Sequence, residues 1–184
     1  MIYAVIMAGG RGERFWPFST KDNPKQLLRI VSERSMLQDT IERIVDFVPL
    51  ERTLIVTGQN LHDKILERLD FLSESNILTE PEGKNTCAAI GFAACHLHRQ
   101  DPNAVMVVLS ADHYIKPKER LVELLRVGTT IAARDEVLIT IGINPTRPET
   151  AYGYIQQGEV YSTFDGISTY RVARFKEKQI GRAH

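Results

Sequence analysis

Residues 2–12 read Ile2-Tyr3-Ala4-Val5-Ile6-Met7-Ala8-Gly9-Gly10-Arg11-Gly12. Ile2 to Met7 is a continuous apolar run, the pattern of a strand buried on both faces. It opens directly into three glycines in four positions. Strands buried on both faces belong to parallel sheets covered by helices, and in such sheets ligands collect at the carboxyl ends of strands. The loop after Met7 is therefore the first place to look for chemistry.

Outward from this strand, short β-rich runs alternate with helical patterns. Strands are expected at Thr53–Thr57, Asn76–Thr79, Ala104–Leu109 and Val137–Ile141. Helices are expected at Ser35–Val48, from an Asn60 cap to Leu72, at Thr86–His98 and at Lys118–Arg134. In the first helix Ser35 and Gln38 make a capping-box pair, and Met36, Leu37, Ile41, Ile44, Val45 and Val48 recur at helical spacing. Beyond Tyr152 come two short strands, Tyr154–Gln157 and Thr169–Phe175, divided by the turn Phe164-Asp165-Gly166. The fold class is α/β, a mixed, mostly parallel, doubly wound sheet. The loops after Met7, Thr79, Leu109 and Ile141 then lie where ligands bind, and all four carry unusual residues.

The loop after Met7 continues through Glu13-Arg14-Phe15-Trp16-Pro17 and on to Pro24-Lys25-Gln26. Glycines let backbone N–H groups approach and surround a polyanion, while Arg11, Arg14 and Lys25 supply cations. A nucleoside triphosphate needs both when another phosphate attacks it. Two unit charges about 4 Å apart repel by roughly 4 kcal/mol at an effective dielectric of about 20. Two other glycine motifs do not fit. A dinucleotide fingerprint needs glycine where Phe15 stands, and a P-loop needs a Gly-Lys-Ser/Thr triplet, which the sequence lacks.

Composition narrows the class further. The 184 residues are 43% hydrophobic and 25% charged, and 23 Lys and Arg balance 23 Asp and Glu. Nucleic-acid and membrane-surface partners are disfavoured by the absence of a basic field. The longest uncharged apolar run is too short to span a bilayer, and no signal peptide is readable. Cys87 and Cys95, eight residues apart on one expected helix, are about 12 Å apart along its axis, too far for a disulfide. The expectation is a reduced, cytoplasmic protein. His96 and His98, two residues apart on a helix, cannot share a zinc ion.

Gly9-Gly10-x-Gly12-x-Arg14-x-Trp16-Pro17 followed by Pro24-Lys25-Gln26 resembles the signature of bacterial mannose-1-phosphate guanylyltransferases. These belong to the sugar-1-phosphate nucleotidylyltransferases. The resemblance implies that Arg14 and Lys25 are catalytic, gripping the triphosphate. It implies nucleotide contacts from Ala8, Gly9, Gly10, Arg11 and Gly12, and base contacts from Glu80, Gly83 and Asn85 in the Glu80-to-Thr86 segment. Ser110-Ala111-Asp112-His113 matches the family's Pro-Ala-Asp-His at three of four positions, so Asp112 is expected to hold Mg²⁺. The stretch from Gly142 to Ile155 resembles the hexose region, with Gly153 beside the sugar. Phe175-Lys176-Glu177-Lys178 resembles a segment in which the glutamate, here Glu177, contacts sugar hydroxyls and the lysine, here Lys178, the sugar phosphate.

The implied reaction is transfer of GMP from GTP to α-D-mannose 1-phosphate, giving GDP-mannose and pyrophosphate. A different nucleotide–hexose pair and an inactive nucleotide-binding fragment are the alternatives. Members of the family are about twice this length. Residues 1–178 are accordingly expected to be an incomplete catalytic domain, truncated on its C-terminal side, and residues 179–184, which match nothing in the pattern, a non-native tail. The sequence carries no signature of oligomeric state; a homodimer is one candidate.

Overall fold

The computed structural model describes residues 1–10, 15–20, 23–149 and 152–176. The chain divides into two compact units, Met1–Thr129 and Thr130–His184.

The first unit is built on strands β1 (Ile2–Met7), β2 (Thr53–Gly58), β3 (Ile77–Glu80) and β4 (Val105–Ser110). They form one sheet in the order β3-β2-β1-β4, with every neighbouring pair parallel. Parallel neighbours need crossovers, and these run through α1 (Met36–Ile44), α2 (Gln59–Arg68) and α3 (Asn85–Gln100). The helix α4 (Lys118–Asp135) follows β4 and continues into the second unit.

Alternate residues of β1 feed two cores, as the period of a strand requires. Ala4 and Ile6 pack with Leu37, Ile41 and Ile44 of α1, Leu61 and Ile65 of α2, and Leu121 and Leu125 of α4. Val5 faces the other way, with Leu54, Val56 and Leu78, against Ala89, Ala93 and Leu97 of α3. A sheet covered on both faces explains why β1 reads as uninterrupted apolar sequence. The capping box forms as expected, Ser35 N–H donating to Gln38 Oε1 at 2.8 Å and Gln38 N–H to Ser35 Oγ at 3.2 Å.

Three expectations are corrected. Asn60 does not cap α2, which starts at Gln59 after Gly58. Asn76 lies just before β3, buried, where its Nδ2 donates to the carbonyls of Leu50 and Thr53, both at 2.9 Å. Val137–Ile141 forms no strand. Its Leu138 is fully exposed, and Ile139 and Ile141 are exposed as well. Apolar, β-branched sequence supplies propensity, but a strand also needs ladder partners for its N–H and C=O groups.

The second unit is dominated by a hairpin of β5 (Tyr154–Phe164) and β6 (Ile167–Lys176), paired antiparallel from Tyr154↔Lys176 to Phe164↔Ile167. Asp165 and Gly166 form its two-residue turn with φ of 50° and 75°, the left-handed pair that favours this dipeptide. Both strands outrun the expected segments, because register shifts at Gln156/Gln157, Gln157/Val160 and Val160/Ser162 break the period-two pattern.

Candidate active site

The sheet order places a topological switch between β1 and β4. From β1 the chain steps one way to β2 and β3, then returns to add β4 on the other side. Ligand crevices of open α/β sheets lie at such switches, past the strand carboxyl ends. Met7 pairs with Ser110, and Ala111 N–H donates to Met7 O at 3.1 Å. The glycine loop and the Ser110–His113 loop are therefore neighbours by register.

Ala8 anchors the first loop. It is fully buried, its N–H donates to Val56 O at 2.8 Å, and its carbonyl accepts from Thr57 Oγ1 at 3.3 Å. Gly9 and Gly10 beyond it are exposed. Their lack of side chains has a local reason. A Cβ on Gly10 would stand 3.3 Å from Lys25 Cε, and a Cβ on Gly9 would stand 3.3 Å from Glu80 Oε2. Glycine at these two positions thus lets Lys25 and Glu80 close on the loop.

Lys25 lies in the short 3-10 turn Lys25–Leu27. Its ammonium donates to Asp112 Oδ2, while Ser110 Oγ donates to the other carboxylate oxygen. It also lies 5.9 Å from the centroid of the Phe15 ring. Both partners of the ion pair are largely shielded, with side chains 19% and 22% exposed. Burial pushes the Asp112 carboxyl up, but the hydrogen bonds from Lys25 and Ser110 and the Lys25 charge outweigh it and hold the group below its ordinary value. Asp112 is a standing carboxylate.

Among the described residues one carboxylate, Asp112, stands at this point, which suits Mg²⁺, a cation that takes one or two protein oxygens and completes its shell with water and substrate phosphate. Among the described residues no cluster of three or more His, Cys, Asp or Glu side chains could cage a metal.

Gln26 carries no chemistry that its residue type announces, yet it holds the loop. It is 2% exposed, and its Nε2 donates to the carbonyls of Ala8 and Gly10, both at 2.8 Å. Across a planar trans peptide the C=O and the following N–H point in opposite directions. Fixing Ala8 C=O toward Gln26 therefore turns Gly9 N–H away from it. In the sequence Gln26 is marked only by its place in the Pro24-Lys25-Gln26 triplet, which does not reveal the carbonyls it holds.

The remaining expected residues are distributed as follows. Glu80 ends β3 and is buried, opposite Gly58 in the ladder. Gly83 and Asn85 are exposed, and Asn85 opens α3 with φ 67°, a value asparagine tolerates better than most residues. Gly153 belongs to the second unit, where its bare Cα admits Lys176 O, 3.2 Å from a would-be Cβ. Arg11, Gly12, Arg14, Glu177, Lys178 and the tail 179–184 lie outside the described residues. Cys87 and Cys95 are free and exposed, and no helix among the described residues is long and apolar enough to cross a membrane.

An open parallel sheet with a glycine loop, a lysine and an aspartate at its switch point defines a nucleotide-handling α/β domain. The nucleotidyl transferase family model matches residues 3–179, and the chain belongs to that family. It is 41% identical over 180 residues to a mannose-1-phosphate guanylyltransferase of Escherichia coli, a match that covers 97% of this chain and 38% of the relative. A second, from Klebsiella pneumoniae, is 40% identical over the same shares. The solved structure described as a mannose-1-phosphate geranyltransferase from Thermus thermophilus superimposes with a TM-score of 0.83 at 34% identity. That match covers 96% of this chain and 50% of the other. The chain thus spans well under half the length of the curated relatives it matches.

Proposed function

We propose that this chain carries the N-terminal, nucleotide-binding part of a GTP:mannose-1-phosphate guanylyltransferase. The observation that carries the reading is the Lys25–Asp112 pair, set beside the glycine loop at the sheet's switch point. The guanylyl and mannosyl assignments draw on the relatives' names and their identity of about 40%.

In this reading a phosphate oxygen of mannose 1-phosphate attacks the α-phosphorus of GTP in line, and pyrophosphate leaves. The nucleophile is already an anion, so no covalent enzyme intermediate and no general base are needed. What the protein supplies is position and positive charge. Gly9 and Gly10 let the triphosphate lie against backbone N–H groups, and Lys25 and Arg14 neutralise phosphoryl oxygens. Asp112 would hold Mg²⁺, which when bound offsets charge on the nucleotide phosphates. Glu80, fixed beside Gly9, offers an acceptor to the exocyclic amine of guanine.

Pyrophosphate release measured across a panel of nucleoside triphosphates and hexose 1-phosphates tests this. The expected result is strong preference for GTP with mannose 1-phosphate and dependence on a divalent cation. Preference for another pair, or metal-independent turnover, would overturn the assignment.

A further inference from the structure

The buried face of α1 contains one charged side chain. Arg43 is only 7% exposed. Burial pushes its guanidinium down, and Asp39 one turn earlier pulls it back up. Arginine nevertheless stays protonated in proteins. A helix that has only to pack against a sheet needs an apolar face, and a cation there carries a desolvation cost.

What the cation meets is backbone. Arg43 Nη2 donates to His113 O at 2.8 Å. One turn back, fully buried Thr40 donates Oγ1 to Met36 O at 2.9 Å and approaches Ala111 O at 3.5 Å. Ala111 and His113 are the two neighbours of Asp112, and Ala111 N–H is tied to Met7 O. The backbone on either side of Asp112 is thus held by α1 and β1 together, and the side chain projects from a fixed loop. Charge-assisted donors make the stronger and more directional hydrogen bonds.

We propose that Arg43 is a positioning residue for Asp112: through the His113 carbonyl its buried guanidinium fixes the loop that presents the Asp112 carboxylate to a divalent cation. The proposal rests on the reading of Asp112 given above. Outer-shell partners of metal ligands commonly set metal affinity by factors of about 10 to 100.

The test uses the full chain with Mn²⁺ as a paramagnetic substitute for Mg²⁺. Binding of Mn²⁺–GTP is followed by water-proton relaxation, and binding of GTP in EDTA by calorimetry. For Arg43→Met, folded by circular dichroism, affinity for Mn²⁺–GTP should fall about tenfold or more. Metal-free GTP affinity should stay within about twofold, and Arg43→Lys should recover part of the loss. Equal losses with and without metal, or no loss in a folded variant, would overturn the proposal. Should the methionine variant not fold, Arg43→Gln is judged by the same criteria; failure of both to fold assigns Arg43 to the core and also overturns it. Asp112→Asn is run in parallel. Unchanged Mn²⁺–GTP binding in that variant would instead remove the metal reading of Asp112 itself.

Discussion

Lys25 and Asp112, 87 residues apart in sequence, form an ion pair across the switch point of the sheet. Each is expected to serve a different part of the substrate complex, the lysine a phosphoryl oxygen and the aspartate a divalent cation. In the absence of both they neutralise one another. If Asp112 takes a divalent cation with the nucleotide, as proposed above, Lys25 is the counter-ion that the cation displaces, and that displacement sets two opposite expectations for its removal.

Lys25→Met should lower turnover by about 10² or more, the scale on which loss of one transition-state charge partner acts. The same variant should bind Mn²⁺ more tightly than wild type when no nucleotide is present, because the competing ammonium is gone. Pyrophosphate release and the free-Mn²⁺ signal in electron paramagnetic resonance read the two effects separately. Near-normal turnover would exclude a catalytic Lys25. Weaker Mn²⁺ binding would exclude competition at Asp112.

Gly10→Ala probes the space that Lys25 uses. The new methyl would sit 3.3 Å from Lys25 Cε and 3.4 Å from Nζ. The neighbour is the far end of a flexible side chain, so the chain can fold around the change with little loss of stability. Lys25 must give way by a few tenths of an ångström to permit it. Turnover should therefore drop several-fold, a fraction of the roughly 10² that a misplacement near 1 Å can cost, while the melting temperature moves by a few degrees at most. A large fall in melting temperature with unchanged turnover of the folded fraction would contradict this.

How far the sequence disclosed these features depended on how local each one was. β1 and β2 were readable because strands buried on both faces are largely apolar, β4 because Val105–Leu109 is an apolar run, and the Ser35–Gln38 capping box because its partners lie three residues apart. Lys25 and Asp112 were legible as residue types in loops at strand ends. Their mutual contact was not, since it follows from Met7 pairing with Ser110. The roles of Arg43 and Gln26 were hidden for the same reason: each serves carbonyls far away in sequence, and a carbonyl has no sequence signature. Val137–Ile141 misled because propensity was present and ladder partners were not.

Asp135 gives a pH-dependent test within the second unit. Hydrogen bonds from Arg134, then from Tyr161, pull its carboxyl down to about 2. A carboxyl lowered on folding stabilises above its unfolded pKa of about 3.9, and that contribution fades as pH falls toward the folded value. The melting-temperature gap between wild type and Asp135→Asn should be constant from neutral pH to about 5, then narrow below about 4. A gap that widens on acidification would mean that Asp135 does not tie Tyr161 to the end of α4. The Asp135 side chain is 20% exposed but its Arg134 partner is 52% exposed, so solvent screening should keep the gap itself small.

Gln26→Leu removes the clamp on the glycine loop at nearly constant volume. Two carbonyls lose donors, although Ala8 O keeps Thr57 Oγ1. Gly10 O is left to find water or remain unpaired, and a buried acceptor without a partner costs about 1–3 kcal/mol. Part of this is returned, because Gln26 Oε1 is itself buried without a hydrogen-bond partner and leucine deletes it. The urea midpoint should therefore shift down by the equivalent of about 1 kcal/mol at unchanged m-value, while GTP affinity falls further than stability alone explains. The affinity loss arises because Gly9 N–H is held outward less firmly once Ala8 C=O keeps only its Thr57 donor. Gln26→Glu should be worse on both counts, since a carboxylate would face two carbonyl oxygens and must be protonated to donate to either. If Gln26→Leu lowers the midpoint yet binds GTP as wild type does, the loop is shaped by its glycines and Lys25 alone, and Gln26 is a core residue that happens to lie beneath it.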